Sequence, residues 1–470
     1  MGRVLGRVFL LLALFSCGVL AAFAQNQTTA EISGIITDAS GAAVPNAGVV
    51  AVSRDTGVQR DAKSNNDGYY SLALLPPGTY LLTVKAQGFQ TVTREGISVA
   101  IDHSARVDFR LQVGSISTEV TVQTEAPLIE TSNPNTTTTI TDRDLQNLPN
   151  PGQDLTYVAN VAPGAIMNVN SSSGYNGGNV EFNGLPSIAN DFTIDGLDAN
   201  DAWQSTNKSG ASGLMLGLNS VQEASVNTES YAADLGRLGA SQVNYLTKSG
   251  TNAFHGNAYE IWNGSAMNAT NYFINANPVP TKKPFSNTNE FGGNFGGPIF
   301  KDKLFFFTDV EGIRIVLPQL LNATLPSAAY QAYVLQQLPI GNQVDPATGF
   351  LLPPEPGEVP LYKTIFSLAG TPSGTPFAVP GCPAALTAIG ESCAIQRLFS
   401  ASPPVSETLW TLKLDYSMSP KDSFWFRVQV NRGSNVRVDA VNPVFNTVDD
   451  EPEESASADW THVFGPNLVN

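Results

Sequence analysis

The chain has 470 residues, a formal net charge of −16 and only 14% charged residues, compared with about 25% in an average soluble protein. This acidic balance is not a run of like charge, so it indicates a solvated acidic surface and argues against nucleic acid as a partner. After residue 24 no apolar run reaches about 18 residues, the length that a membrane-spanning helix needs. Any passage through a membrane would therefore have to use β-strands.

Residues 1–24 have the pattern of a secretory signal peptide. Arg3 and Arg7 supply the positive charge, residues 8–20 form the apolar segment, and Ala22-Phe23-Ala24 matches an A-x-A cleavage site. The mature chain is thus expected to be exported.

Residues 31–113 predict a β-sandwich, because short strands recur between turn signals at intervals of about 8–12 residues. The segments GIITDASGAAVPNAGVVAV and NNDGYYSLALLPPGTYLLTVKAQGF resemble the carboxypeptidase regulatory-like domain, a transthyretin-like sandwich that is also grouped with carbohydrate-binding folds. No exposed tryptophan pair marks a sugar platform, so carbohydrate binding stays open. The predicted strands are 32–38, 48–53, 57–63, 69–73, 79–86 and 105–113, and the predicted core residues are Tyr70, Leu72, Tyr80, Leu82 and Val84.

Residues 114–134 read as a linker with one extended piece, EVTVQT at 119–124. It could be the last strand of the sandwich or the first strand of the next domain. It is also similar to a TonB box, an acidic residue followed by alternating valine and threonine, at Glu119, Val120, Thr121 and Val122. A TonB box is recognised as an added β-strand, in which main-chain hydrogen bonds supply the affinity.

Residues 135–250 combine short helices and strands. Thr141 or Asp142 can cap a first helix, which Pro149 ends. Asp195-Gly196 is a turn dipeptide. The other predicted elements are a helix at 153–158, strands at 180–183, 191–194 and 241–247, and a helical stretch at 218–224.

Two segments are similar to the plug-to-barrel junction of Oar-like TonB-dependent receptors: FNGLPSIANDFTIDGLDAND and NSVQEASVNTESYAADLGRLGASQVNYLTKSGTNAFHG. The resemblance implies that residues 135–250 form an α+β plug domain. Its junction residues would be Asp195, Gly196, Arg237, Lys248 and Gly250, and Arg237 is expected to pair with carboxylates of the barrel lumen rather than with a ligand.

Residues 251–470 predict an antiparallel β-barrel. In the hairpin at 408–431, Trp410, Leu412, Leu414 and Tyr416 alternate with polar residues, the mark of a strand with one apolar face. That face would point into the core of a soluble sandwich or at the lipid around a membrane barrel. Short turns alternating with long loops favour the barrel, and GGPIFKDKLFFFTDVEGIR again resembles the Oar-like family. The predicted strands are 254–262, 289–296, 303–311, 410–416, 424–431 and 456–464; residues 312–407 predict a long external loop, and Phe305–Phe307 an interfacial aromatic girdle.

The predicted fold is therefore mainly β: a sandwich, a plug and the first strands of an incomplete transmembrane barrel. Transporter barrels of this type close with about 22 strands, whereas six are predicted here. We expect the chain to be the N-terminal fragment of a longer protein.

No catalytic constellation is evident. His103, His255 and His462 lack an accompanying nucleophile and acid, so they predict structural roles. Cys382 and Cys393 favour one small-loop disulfide in an exported protein, and two thiols without a nearby histidine do not make a zinc site. The acidic group Asp191, Asp195, Asp198 and Asp201 lacks the spacing of a calcium loop and predicts turns on the plug surface.

The resemblance, which covers nearly the whole mature chain, implies a non-enzymatic receptor of the outer membrane with its N-terminal domain in the periplasm. It would take up a bulky nutrient (an oligosaccharide, siderophore or peptide) and be energised by the TonB–ExbB–ExbD complex, with no cofactor. Its other partners would be outer-membrane lipid and an unknown extracellular ligand. The alternatives are an outer-membrane adhesion or carbohydrate-binding protein without transport, and a secreted soluble carbohydrate-binding protein.

Overall fold

The computed structural model describes residues 28–114, 119–123, 136–150, 153–168, 179–201, 210–229, 239–270, 272, 283, 285–341, 343–344, 351–370, 374–465 and 468–469. The predicted signal peptide and Arg237 lie outside these ranges. The described chain is mainly β, and none of its helices is long and apolar enough to cross a membrane.

The described strands of the N-terminal domain are β1 (Ala30–Asp38), β2 (Gly48–Ser53), β3 (Gln59–Lys63), β4 (Tyr69–Leu75), β5 (Gly78–Lys85), β6 (Thr91–Val99), β7 (Ser104–Arg106), β8 (Phe109–Leu111) and β9 (Glu119–Gln123). One sheet has the order β4-β1-β7, with β8 also paired to β1, and the other has the order β3-β2-β5-β6-β9. Both sheets contribute to one apolar core. The five predicted core side chains are all buried there.

Strand β6 was not among the predicted strands. Its alternation is broken at Arg94, Glu95 and Gly96, where the pairing with β5 shifts register and Gly96 has a φ of 75°. A bulge of this kind hides a strand from a search for period two.

The middle domain contains β10 (Thr136–Thr141), α1 (Asp142–Asn147), β11 (Ala165–Asn168), β12 (Asn179–Phe182), β13 (Asn190–Ile194), β14 (Leu197–Asp198), β15 (Val221–Glu229) and β16 (Ser241–Thr247), with 3-10 helices at Leu155–Val161, Ser187–Ala189 and Leu218–Ser220. Its main sheet has the order β10-β15-β16-β13-β14. The helix predicted at 218–224 is wrong: only a single 3-10 turn forms there. The following residues enter β15, a strand with partners on both sides, since tertiary pairing overrides local propensity.

The C-terminal part begins with β17 (His255–Gly264), β18 (Asn287–Phe300) and β19 (Leu304–Val316). The loop predicted for 312–407 is only partly a loop, because β19 continues to Val316 and the segment holds its own small elements. These are β20 (Gln319–Pro326), α2 (Ala328–Gln337), β21 (Gln343–Val344), β22 (Leu351–Leu352), a 3-10 helix at Pro356–Glu358, α3 (Val359–Leu368), β23 (Thr375–Phe377), α4 (Ala384–Thr387) and β24 (Ala394–Ala401).

The chain then returns to the large sheet through β25 (Pro404–Ser419), β26 (Asp422–Arg437), β27 (Thr447–Asp450), β28 (Glu453–Gly465) and β29 (Leu468–Val469), with a 3-10 helix at Pro443–Phe445. The antiparallel order is β17-β18-β19-β25-β26-β28-β29, with β27 also paired to β26. All six predicted strands are present, and the described sheet does not close on itself.

Around the middle of β25, the large sheet carries apolar side chains on its outer face and polar side chains on its inner face. In β25, Trp410 and Tyr416 are 38% and 40% exposed, whereas Glu407, Thr411 and Lys413 are at most 4% exposed. The polar face packs on the middle domain. In a soluble sandwich the apolar face would instead point into the core. An apolar outer face and a polar inner face are typical of the wall of a membrane barrel.

The girdle predicted at Phe305–Phe307 is wrong for two of its three residues. Phe305 and Phe307 are buried on the inner face. Phe306 lies on the other face, where its ring centroid is 6.5 Å from that of Phe254 and 5.7 Å from that of Phe295. Strand alternation puts consecutive aromatic residues on opposite faces, so only the middle one can join an outer cluster.

Candidate functional site

The turn Asp195-Gly196 joins β13 to β14 and points a carboxylate at the large sheet. Both residues have positive φ, 51° and 78°, as a tight hairpin turn of the Asp-Gly type requires. The Asp195 carboxylate accepts hydrogen bonds from the backbone N–H and the hydroxyl of Thr247, at 2.8 and 2.7 Å. The end of β16 thereby fixes the carboxylate in place.

Two cations of the large sheet meet this carboxylate. Arg427 Nη1 lies 2.5 Å from Asp195 Oδ2, and Lys413 Nζ lies 3.4 Å from Oδ1, with all three side chains at most 4% exposed. Lys413 Nζ also donates to the carbonyl of Thr247 and lies 5.6 Å from the centre of the Trp425 ring. Burial alone would raise the pKa of Asp195, but the charges of Lys413 and Arg427 outweigh it and lower that pKa to about 2.

A second contact holds the segment 210–220 of the middle domain. The Glu407 carboxylate of β25 accepts from the Ser212 N–H at 2.8 Å and from the amide of Asn431 at 2.7 Å, and also from the Ser212 hydroxyl. A Cβ on Gly210 would lie 2.0 Å from Glu407 Oε1. A side chain at position 210 would therefore push the Glu407 carboxylate out of this position.

A third contact lies one strand away, on β19. Glu311 accepts from the backbone N–H groups of Gly217 and Asn219, at 3.1 and 2.7 Å, and Asp309 accepts from the Asn219 side chain at 2.6 Å. Acidic side chains of the sheet thus satisfy buried N–H donors of the middle domain, which would otherwise cost free energy.

Lys248 and Gly250 form the connection between the middle domain and the large sheet. The Lys248 N–H donates to the carbonyl of Ser220 at 2.7 Å, and its ammonium lies 2.8 Å from Asp142. A Cβ on Gly250 would lie 2.4 Å from the Phe306 carbonyl oxygen. The chain passes so close to the sheet at this point that a side chain would clash.

The N-terminal domain touches the middle domain through the loop after β6. The Asp102 carboxylate accepts from the side chains of Ser225, Asn227 and Asn244, at 2.6, 3.3 and 3.1 Å. The Ile101 N–H donates to Glu223 at 3.1 Å. Burial raises the pKa of Glu223 to about 7 against the opposing effect of that N–H, and burial also raises the pKa of Asp102.

The histidines have ordinary structural partners. His103 Nε2 lies 2.7 Å from the Thr139 hydroxyl, and His255 Nδ1 lies 3.0 Å from the Ala253 carbonyl oxygen. His462 Nδ1 lies 2.6 Å from Asp422, beside the short turn between β25 and β26.

The candidate TonB box, Glu119–Val122, lies apart from this junction. As β9 it pairs in parallel with β6, and Glu119 to Gln123 stand opposite Thr91 to Glu95. Cys382 and Cys393 form a disulfide in the segment between β19 and β25, with Cα atoms 5.7 Å apart.

The surface position predicted for the acidic group is wrong for Asp191 and Asp195, which are buried. Asp198 is exposed, as predicted. In the described ranges no group of three or more histidine, cysteine or acidic side chains is arranged to hold a metal ion. Sequence reasoning also missed the partners of Asp195. The available signal was the pair of cations, Lys413 and Arg427, on the polar face of the predicted hairpin.

Parts of the chain match known protein families and known proteins. Residues 246–470 match the model of the outer membrane beta barrel domain, and residues 31–112 match the carboxypeptidase regulatory-like domain. The TonB-dependent transporter Oar of Myxococcus xanthus is 28% identical over 299 residues, which is 61% of this chain and 27% of that protein. Carboxypeptidase Z of Gallus gallus is 37% identical over 82 residues, or 17% of this chain and 12% of that protein.

Two solved structures each align over 70% of the chain. The ferric enterobactin receptor of Pseudomonas aeruginosa aligns with a TM-score of 0.39 and 15% identity, over 70% of this chain and 38% of its own. The outer membrane transporter YddB of Escherichia coli aligns with a TM-score of 0.45 and 10% identity, over 70% and 37%.

The chain contains an outer membrane beta barrel domain at residues 246–470 and a carboxypeptidase regulatory-like domain at residues 31–112. It is a homologue of the TonB-dependent transporter Oar, and it spans about a quarter of the length of that relative, 27%. The expected family and the outer-membrane location are confirmed. The prediction of a secreted soluble protein is overturned.

Proposed function

We propose that the full-length protein is a TonB-dependent transporter, in which residues 135–250 are the plug and Glu119–Val122 are the TonB box. TonB, driven by ExbB and ExbD, would bind the box and pull, and the plug would rearrange to open a path. The protein performs no covalent chemistry. Its energy source is the pulling force, which biases the plug between two states.

The observation that carries this proposal is the polar attachment of the middle domain to the inner face of the sheet. Ion pairs and hydrogen bonds hold it there, around Asp195, Glu407 and Glu311, beside one small apolar cluster. Polar groups can be rehydrated when a plug moves, whereas a large apolar interface would be exposed at a higher cost. The attachment is therefore specific in position and still reversible.

The substrate class stays open among oligosaccharides, siderophores and peptides. The polar inner face offers carboxylates, amides and the Trp425 ring, and each of these substrate classes could use such groups.

Adhesion without transport is the second candidate. The region between β19 and β25 favours this second candidate. That region forms a small sheet of its own, β20-β24-β23, and contains the disulfide Cys382–Cys393. An external domain of this kind can bind a partner whether or not the barrel transports anything.

The test compares proline substitutions in the full-length protein in outer membranes. Val120→Pro with Val122→Pro removes two backbone N–H donors from the box, and Ser117→Pro is the neighbouring control. We expect the double variant to lose both capture of the purified TonB C-terminal domain and energy-dependent uptake, and the control to keep both. If the double variant binds TonB and supports uptake as well as the control does, the assignment of the box is wrong. If TonB binds neither the unaltered protein nor the control, adhesion without transport becomes the better-supported function.

A further inference from the structure

The candidate TonB box is already part of a β-sheet. Strand β9 is the edge of the β3-β2-β5-β6-β9 sheet among the described strands. Its pairing with β6 is parallel, whereas the other pairs in that sheet are antiparallel. The match to the carboxypeptidase regulatory-like domain ends at residue 112, before β9 begins. The strand is thus an addition to the domain's own fold.

Strand β6 links the box to the middle domain. Its first half, Thr91–Glu95, pairs with β9. Its second half leads into Ile101–His103, which contact Glu223, Ser225 and Thr139 of the middle domain. One strand and its following loop therefore hold the box and the proposed plug at the same time.

We propose that the N-terminal domain is a clamp that withholds the TonB box, and that TonB must strip β9 from β6 before it can pull on the plug. This inference rests on the proposed function. TonB is the partner that adds to an extended strand through main-chain hydrogen bonds, and β6 now makes hydrogen bonds of that kind.

The path of force explains why the strand has to leave the sheet. Twelve residues, 124–135, separate β9 from β10, the first strand of the middle domain. While β9 stays paired, a pull on it loads the N-terminal domain, which is itself docked on the middle domain. The load reaches β10 through the linker only after β9 has been released.

The clamp also sets the apparent affinity for TonB. Because β6 and β9 belong to one chain, their effective concentration is on the order of millimolar, and TonB sees only the fraction of protein in which the box is free. The pairing covers only five residues of an edge strand, so a tightly binding partner can displace it.

A cross-strand disulfide tests the clamp. Glu95 is exposed and stands opposite Gln123. Neighbouring strands lie about 4.8 Å apart, within the range of about 4.4–6.8 Å between the Cα atoms of a disulfide. We would oxidise the full-length Glu95→Cys, Gln123→Cys variant and measure binding of the purified TonB C-terminal domain. The matched control is Thr79→Cys with Ser98→Cys, which joins β5 to β6 without touching the box.

We expect the E95C/Q123C disulfide to form without TonB and to weaken TonB binding at least tenfold, and reduction to restore the binding. The oxidised control should bind as the unaltered protein does, and both are reduced in parallel because reduction also opens Cys382–Cys393. The proposed clamp is wrong if the cross-link does not form. It is also wrong if the cross-linked protein binds TonB normally, because TonB would then bind to the open edge of β9. If the reduced and unaltered proteins both fail to bind TonB, the proposed function and the clamp fail together.

Discussion

Asp195 and Arg427 form a buried ion pair of 2.5 Å between a turn of the middle domain and strand β26, across 232 positions in sequence. Lys413 of β25 completes the group. Charges buried to this degree are costly unless they are paired. The pair therefore specifies where the middle domain sits on the sheet, because another placement would separate both cations from the carboxylate that they contact.

Replacing Asp195 with asparagine should loosen the middle domain. The variant removes the carboxylate that Lys413 and Arg427 both contact, and breaking one side of a buried pair typically costs about 3–5 kcal/mol. The rate of amide hydrogen exchange in β16 of the full-length protein should rise by the factor that corresponds to this loss of free energy. Asp198→Asn is the control, since Asp198 is exposed in the same hairpin, and it should change exchange little. Equal protection in the two variants would show that the ion pair does not position the domain.

Acid should release the same contact. The pKa of Asp195 is about 2 in the folded protein, below its usual 3.8. A carboxyl whose pKa is lowered by folding stabilises the folded state at pH values above its pKa in the unfolded chain. For Asp195 this contribution is roughly 2–3 kcal/mol, and it is lost as the pH falls from about 4 through 2. Protection of β16 in the unaltered protein should therefore fall over that window. Asp195→Asn should lack this component of the pH dependence, and an identical acid profile in both proteins would contradict the assignment.

Glu223 should make the docking of the N-terminal domain depend on pH in the opposite sense. Its pKa is raised to about 7 from 4.5, so the folded state holds its proton more tightly. The resulting stabilisation, roughly 3 kcal/mol, is complete below about pH 4.5 and is lost as the pH rises through about 7. The neighbouring ionisable groups are Asp102 and His103 on the docked loop.

The measurement is hydrogen exchange of residues 97–106, corrected for the intrinsic effect of pH. Protection should fall between about pH 4.5 and pH 7 in the unaltered protein and stay nearly constant in Glu223→Gln. Residues 80–86 in the core of the N-terminal domain serve as the internal control. A fall of the same size in Glu223→Gln would show that Glu223 does not cause the pH dependence.

The sequence predicted those parts of the fold that depend on local alternation. The six long strands of the large sheet were found because residues such as Trp410 and Leu412 alternate with polar neighbours. Their ends were placed too early. Strand β26 runs on to Arg437, where both faces become polar, and β19 runs on to Val316, where the inner face carries the apolar residues Ile313 and Ile315. Strand β6 was missed because of its bulge.

The candidate site could be predicted only in part. Asp195 and Gly196 were placed at the junction from their resemblance to a family pattern, and the turn agrees with their residue types. The partners of Asp195 could not be predicted, because Lys413 and Arg427 come from strands that lie far away in sequence. Local spacing carries no information about which polar residue of a wall meets which turn of the domain inside it.

The outward face of the large sheet should reject charge. Leu412 lies on the same face of β25 as the exposed Trp410 and Tyr416, and an arginine on the lipid-facing side of a barrel costs about 2–4 kcal/mol near the midplane of the bilayer. Leu412→Arg in the full-length protein should lower the folded fraction, read from heat-modifiable mobility on gels. Leu361→Arg is the control, because Leu361 is an exposed residue of α3 outside the sheet. If both variants fold equally well, the outer face of β25 does not contact lipid.

The disulfide Cys382–Cys393 should stabilise the segment between β19 and β25 and leave the barrel wall unaffected. It closes a loop with a sequence separation of 11, and loops of that size are stabilised by roughly 3 kcal/mol in the chain-entropy account. Cys382→Ser with Cys393→Ser should therefore raise the rate of proteolysis within residues 319–401 on intact outer membranes. The heat-modifiable mobility of the barrel should not change, because the large sheet runs from β19 directly to β25 in its pairing. Reducing agent should reproduce the effect in the unaltered protein and add nothing in the variant. A loss of barrel folding in the variant would instead mean that this segment supports the wall itself.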